Sequence, residues 1–305
     1  MIYDITLLVD KRYLHPNEGD AFVTNVLLED KLIADALVAE GLRVNRIAWD
    51  DPHFDWSSTR YALFRSVWDC FDRIDEFTKW YSNTSKNTQF INSKALIDWN
   101  IDKHYLKELE NKGITIANTL FIEQGSPLDL RSAITTFKHR FGTDTEEFVL
   151  KPCVAGGARH TYKFDSDEWE PYATVFEELI ANEALMLQEF QKNVVTEGEL
   201  SLMLFNGEYT HTILKQAKPG DFRVQDDYGG SVTTHIPNEE AIAFAKKAMN
   251  ACPEPPLYGR ADIFKDNRGN WALAELEIFE PELWFRFYPD AAKVMAKELK
   301  NTLFS

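Results

Sequence analysis

Apolar positions along the chain fall into short runs separated by longer amphipathic stretches. Residues 2–9 (IYDITLLV) read as a first strand. Residues 24–40 repeat apolar positions at helical spacing and stop at Gly41, and residues 42–49 read as a second strand. This strand–helix–strand order predicts a small parallel α/β lobe. Residues 62–81 are rich in aromatics (Phe64, Trp68, Phe71, Phe77, Trp80, Tyr81) set around Arg65 and Asp69. Packing accounts for such a cluster, and Arg65 is its one candidate for meeting a substrate.

Residues 100–114 read as a helix with a glycine stop, and residues 116–122 as a strand. A helix over 128–141 has Ser126 as its cap and Pro127 at its first turn, and Gly142 ends it. An apolar strand at 148–152 closes on Lys151-Pro152, and a loop with Gly156, Gly157 and Arg159 follows. Beyond it come a strand near 161–164, a helix over 168–182, and buried strands at 185–190 and 197–205. Ser, Asn and Thr concentrate in residues 84–100, where the boundary between lobes is predicted.

The last patterned stretch, residues 258–287, sets two apolar runs around Asp266-Asn267-Arg268-Gly269-Asn270, a hairpin signal. On the first strand Arg260, Asp262 and Phe264 share a face; on the second, Leu273, Glu275 and Glu277 are expected to share one. A turn at 267–270 puts Asp262 opposite Glu275 and Arg260 opposite Glu277. Like charges facing across a ladder destabilise it. The pairing therefore calls for a cation between the carboxylates, and Mg²⁺, which combines one or two carboxylates with phosphate oxygens, suits it. A solvated acidic face on an edge hairpin is the alternative.

Composition narrows the function classes. The 305 residues are 44% hydrophobic and 27% charged, the balance of a folded chain with room for two domains. A net charge of −16 excludes a general nucleic-acid binder. No apolar run approaches the roughly 18 residues of a membrane span, and the N-terminus lacks the flanks of a signal peptide, so a cytoplasmic protein is expected. Cys70, Cys153 and Cys252 are odd in number and far apart, the pattern of reduced thiols, and the histidines show no triad or metal spacing. With so acidic a chain, any polyphosphate site must gather its few basic residues where Lys and Arg interrupt apolar strands.

Three segments are candidates for such a site. Lys151 ends a strand before a glycine loop, a shape that turns backbone N–H groups and an ammonium toward an anion, although the P-loop pattern is absent. Gln188 and Glu189 sit at the end of a buried strand able to hydrogen-bond an adenine edge, with Glu197 farther on for ribose hydroxyls. The loop GDFRVQDDYGG carries Arg223 between glycines, after Lys215 and His211 on a strand, and an arginine there can hold an acyl phosphate or a carboxylate bidentately. Each has a bland counterpart: a snorkelling lysine, a core strand, a surface loop.

Taken in order, strand-Lys-Pro, glycine loop, Gln-Glu hinge, GDFR…GG, Arg-x-Asp and Glu-x-Glu resemble the ATP-grasp superfamily. The resemblance is to its glutathione-synthetase-like and RimK-like carboxylate–amine ligases, and most to the D-cycloserine ligase type, through WDCF, DFRVQ and ELEIFEP. It implies an α/β fold of α+β lobes: an N-terminal pre-ATP-grasp domain over 1–95 and an ATP-grasp domain over 96–305, split near 190 into a central lobe from about 115 and a C-terminal lobe. It implies ATP contacts at Lys103, Lys151, Gly156, Gly157, Gln188, Glu189 and Phe190, with Glu197 on the ribose. Lys215 and Arg223 would lie near the γ-phosphate and acyl phosphate, Arg260 is a third catalytic candidate on the substrate side, and Asp262, Glu275 and Glu277 would hold Mg²⁺ or Mn²⁺. Glu277 stands where many relatives have Asn. The implied reaction activates a small-molecule carboxylate as an acyl phosphate for attack by an amine, between molecules or within one, with a homodimer as the common assembly. The alternatives are a phosphotransferase and a nucleotide-binding regulator without turnover.

Overall fold

The computed structural model describes residues 2–15, 20–224 and 229–305, and three sheets organise them. Strands β1 (Tyr3–Val9), β2 (Val44–Ala48), β3 (Thr59–Phe64) and β4 (Gln89–Ile91) pair in parallel in the order β2-β1-β3-β4, so the N-terminal α/β expectation holds. Helix α1 (Ala21–Ala39) begins at Asp20, whose carboxylate accepts from the Phe22 N–H at 2.8 Å. Helix α2 (Ile74–Thr84) brings Phe77 and Tyr81 into one cluster with Trp49, Phe64 and Phe90, which is where the aromatic run is consumed. Arg65 packs against the C-terminal segment instead. It is 3% exposed, donates to the Pro281 carbonyl at 3.3 Å and lies over the Phe285 ring.

The helix expected over 100–114 is the shorter α4 (Tyr105–Asn111), and a separate helix, α3 (Lys94–Asn100), ends where it was expected to begin. Between them the Asp102 carboxylate accepts from the His104 N–H at 3.0 Å, and the Lys103 N–H donates to the Cys153 carbonyl at 2.9 Å. An Asx turn and a tertiary partner outcompete helix continuation. The polar stretch at 84–100 is likewise a clamp. Asn92 donates to the carbonyls of Tyr258 and Ile278, and Asn100 donates to Leu276 O at 2.6 Å and accepts from Ile278 N–H at 3.1 Å. These residues are polar because they satisfy the backbone of the C-terminal hairpin.

Strands β5 (Thr119–Ile122), β6 (Glu147–Pro152), β7 (Tyr162–Asp165) and β8 (Leu185–Glu189) form an antiparallel sheet in the order β5-β8-β6-β7. Its apolar face is packed with side chains of α5 (Leu130–Phe141) and α6 (Glu170–Asn182). Asp129, not Ser126, caps α5, accepting from Ser132 N–H at 2.6 Å; the Ser126 hydroxyl reaches only Leu128 N–H. Gly142 ends the helix at φ 58°, as its place in the sequence predicts.

A short helix, α7 (Lys192–Thr196), leads into the third sheet of β9 (Glu199–Phe205), β10 (Glu208–Gln216), β11 (Ser231–His235), β12 (Tyr258–Lys265) and β13 (Trp271–Glu277). It is antiparallel, in the order β11-β10-β9-β12-β13, and α8 (Glu239–Asn250) packs on it. The final helix α9 (Asp290–Leu303) returns to the N-terminal lobe. Its Ala291, Met295 and Leu299 share one core with Ile5, Ile33, Leu37, Phe205 and Tyr258, so the first and third sheets are joined through apolar packing.

One buried histidine gives this join a pH dependence. His211 on β10 makes a 3.0 Å contact from Nε2 to the Leu283 carbonyl and stacks on Tyr288, and burial lowers its pKa from 6.5 to about 4. A depressed folded-state pKa contributes stability above pH 6.5 that is lost as pH falls through 4, worth at most about 3 kcal/mol. Denaturant unfolding between pH 7 and 4 should show this loss, and His211→Gln should flatten it; an unchanged slope would refute the assignment.

Candidate active site

The second and third sheets and segments beside the strands of the N-terminal lobe surround a cavity of about 600 Å³. Of the residues that the resemblance assigns to the site, all but Glu197 line it: Lys103, Lys151, Gly156, Gly157, Gln188, Glu189, Phe190, Lys215, Arg223, Arg260, Asp262, Glu275 and Glu277. Glu197 is exposed at the end of α7. Gly198 at φ 91° then turns the chain, and the acid that reaches the cavity is Glu199 at the start of β9. A side chain on Gly198 would meet the Lys215 carbonyl at 2.6 Å, so glycine is required at that turn.

The hairpin register is the predicted one, with Asp262 opposite Glu275 and Arg260 opposite Glu277. The shared face of Leu273 is not. A bulge between Asp262 and Ile263 sets Leu273 opposite Ile263 in the core with Ala261 and Leu276, leaving Ala274 as the extra residue. The bulge keeps the two glutamates toward the cavity while the next residues fill the core.

Asp262 is 2% exposed and saturated with partners. It accepts from Ser201 Oγ at 2.6 Å, Lys215 Nζ at 3.0 Å, and Arg260 Nε and a terminal nitrogen at 2.9 and 2.8 Å. Burial works to raise its pKa, but Arg260 and Lys215 outweigh burial and hold it below the usual carboxylate range. Lys215 also pairs with Glu199 at 2.6 Å, and Arg260 with Glu277. Glu277 is pushed up to about 7 by burial, against Arg260, with the negative charges of Glu275 and Asp262 adding to the rise. Glu275 is the more open acid, its side chain 32% exposed and paired with Lys103 at 3.0 Å.

The hinge residues are engaged with their neighbours. Gln188 donates to Thr119 Oγ1 at 2.8 Å, Glu189 accepts from Asn118, and the Phe190 ring lies 4.3 Å beneath the Lys163 ammonium. Arg223 is held by Asp221, with Nε and a terminal nitrogen at 3.1 and 2.9 Å from its oxygens. Residues 225–228 of that loop lie outside the described residues. Lys151 differs from the other bases. Burial lowers its pKa, Glu275 offsets this only in part, and its ammonium has no hydrogen-bond or ion-pair partner among the described residues.

Comparison with known proteins bears directly on this arrangement. Residues 5–92 match the family model described as the N-terminal domain of D-cycloserine synthetase DcsG. The cycloserine biosynthesis protein DcsG of Streptomyces lavendulae is 28% identical over 280 residues, covering 86% of this chain and 90% of that protein. The crystal structure of D-cycloserine synthetase DcsG superposes with a TM-score of 0.86 at 26% identity, covering 98% and 99% of the two chains. The chain is an ATP-grasp ligase. Its fold is shared at lower identity by D-alanine–D-alanine ligase of Bacillus anthracis, with a TM-score of 0.65 at 13% identity over 98% of this chain and 97% of that one. The ATP-grasp ligase PsnB in complex with Mg and ADP gives 0.61 at 13% over 98% of each.

The ligase carries features that the linear pattern does not display. Gly156 lies against the Phe71 ring of the N-terminal lobe, where a Cβ would come within 2.7 Å of it, so the glycine loop rests on the WDCF segment. Glu199 and Ser201 were missed. Their signal was the alternation along β9 that sets both on the face of Lys215 and Asp262. Glu280 was missed as well, in a segment read as tail. It is 9% exposed, lines the cavity, and its pKa is raised well above the usual range by burial and then by Glu277 and Glu275. Asp102, His104 and Cys153 also meet, but Asp102 engages His104 Nδ1 at 2.6 Å and burial keeps the Cys153 thiol protonated, a poor metal ligand. Among the described residues no helix is long and apolar enough to cross a membrane.

Proposed function

We propose that this ligase uses ATP and Mg²⁺ to activate a small-molecule carboxylate as an acyl phosphate, which an amine of the same or a second molecule then attacks. The observation that carries the reading is Lys151, a half-buried ammonium with no partner among the described residues, in a cavity that also crowds Asp262, Glu275 and Glu277. An unpaired cation whose charge is penalised by desolvation calls for an anion, and carboxylates crowded enough that Glu275 and Asp262 help to raise the pKa of Glu277 call for a divalent cation. The donor set of hard oxygens fits Mg²⁺.

Each residue has a part in this scheme. Lys151 and Lys103 receive the phosphates, with backbone N–H groups of the loop at Gly156 and Gly157 closing over them. Gln188, Glu189 and Phe190 flank the base. Glu275, Glu277 and Asp262 would hold the metal, which supplies charge neutralisation on the phosphate oxygens. The substrate carboxylate oxygen takes the γ-phosphoryl group, the bond to the β-phosphate oxygen breaks, and ADP leaves. Arg223 and Lys215 neutralise the charge that develops, and Arg260 keeps Asp262 and Glu277 aimed. The amine nitrogen then bonds to the acyl carbon as phosphate departs with the oxygen and the nitrogen sheds a proton. Closure of the glycine loop on Phe71 excludes water from a hydrolysable intermediate.

For this chemistry we divide the chain at residue 95, with the central lobe at 115–190 and the C-terminal lobe beyond it; one sheet falling in each part supports the division. A cytoplasmic setting accords with free Cys70, Cys153 and Cys252, and sedimentation would test the homodimer. The reaction itself is tested by ADP release over carboxylate and amine libraries. ADP and phosphate should appear only when an acceptor carboxylate is present. A phosphorylated product persisting beside amine would instead indicate a phosphotransferase, and tight ATP binding without turnover a regulator.

A further inference from the structure

Besides the half-buried Lys151, a buried charged group of the cavity stands without a counterpart: the carboxylate of Glu280 has no hydrogen-bond or ion-pair partner among the described residues. We propose that Glu280 receives an ammonium group carried by the acceptor substrate, and so orients that substrate before its carboxylate is phosphorylated. This rests on the ligase reading above and adds a specificity residue to it.

Four observations converge. Glu280 is no loose surface acid: its carbonyl accepts from Trp68 Nε1 at 3.1 Å, and the next carbonyl, Pro281, accepts from Arg65. The bases whose charges it feels are committed elsewhere, Arg260 to Asp262 and Glu277, and Lys103 to Glu275 and the Ala155 carbonyl. The other charges acting on it, Glu277 and Glu275, have its own sign, so ionising it in the free protein is unfavourable and a cation from outside relieves that cost. Finally, Trp68, Phe71, Phe279 and Trp284 line the same cavity. Aromatic faces attract an ammonium, whereas Mg²⁺ demands a shell of oxygens that they do not supply. A carboxylate that shares its cavity with four aromatic side chains therefore suits an organic cation more than a second metal.

The test compares wild-type protein and Glu280→Gln in two assays. The first is ADP release with the D and L forms of the common amino acids, each beside its Nα-acetyl derivative. The second is calorimetric binding of ADP across a Mg²⁺ titration. Expected are turnover with free-amine acids and none with their acetylated partners, and a KM for the active acid raised about tenfold or more in Glu280→Gln. Nucleotide affinity and the Mg²⁺ midpoint should stay within about twofold, and Glu280→Asp should restore part of the KM, which a merely structural role would not do. Equal use of free and acetylated acids, or an unchanged KM in Glu280→Gln, overturns the proposal. So does a shifted Mg²⁺ midpoint, which would make Glu280 a metal ligand. Absence of ADP release from wild-type protein with every acid, despite ADP binding, would sink the ligase reading itself and this proposal with it.

Discussion

Glu275→Gln should abolish Mg²⁺-dependent turnover, lowering kcat/KM by about a hundredfold or more, with the melting temperature nearly unchanged. The two consequences separate because of where Glu275 stands. Its side chain is 32% exposed and has one ion pair, to Lys103, so neutralising it costs the fold little. Asp262→Asn is a less clean probe of the same metal. Asp262 anchors Ser201, Lys215 and Arg260 in a buried network, and breaking such a network by removing one charge costs about 3–5 kcal/mol. Loss of activity in Asp262→Asn would therefore mix unfolding with chemistry. Steady-state assays of both variants, paired with thermal melts, distinguish the effects. Near wild-type turnover in Glu275→Gln with saturating Mg²⁺ would remove that residue from the metal site.

Lys151→Met should weaken use of ATP by about a hundredfold in kcat/KM and at the same time raise the melting temperature of the ligand-free protein. A methionine fills nearly the same volume without a charge. The ammonium it replaces has burial lowering its pKa and no partner among the described residues. Sites kept ready for a ligand commonly hold such destabilising groups. A drop in melting temperature would mean that Lys151 is structural, and unaltered ATP kinetics would take it off the phosphates.

Much of the site was legible in the linear pattern because its residues sit on regular elements. On a strand, spacing of two fixes the face, so Arg260 and Asp262 could be placed on one side and paired with Glu277 and Glu275 across a recognisable turn. The bulge at Ala274 escaped, since an extra residue in one strand leaves no mark in composition, and it set Leu273 opposite Ile263 in the core. Glu197 was preferred to Glu199 for a similar reason. The helical turn and Gly198 decide where the strand begins, and a shift of two residues separates solvent from cavity. Lys103 was expected within a helix, yet it lies in the break where the Cys153 carbonyl takes its N–H.

The sequence by itself determined the order of elements, the parallel first lobe, and the concentration of basic residues at strand ends in an acidic chain. Local periodicity, glycine stops and turn residues carry that information within a few positions of one another. Tertiary structure alone decided which charges are paired and which are left waiting. Glu199, Lys215, Arg260 and Asp262 pair with one another across strands β9, β10 and β12 in the ligand-free protein. Lys151 and Glu280 have no counterpart within reach among the described residues. Charge pairing depends on distances between residues far apart in the chain, and in a low-dielectric cavity those distances set both stability and what the site will bind.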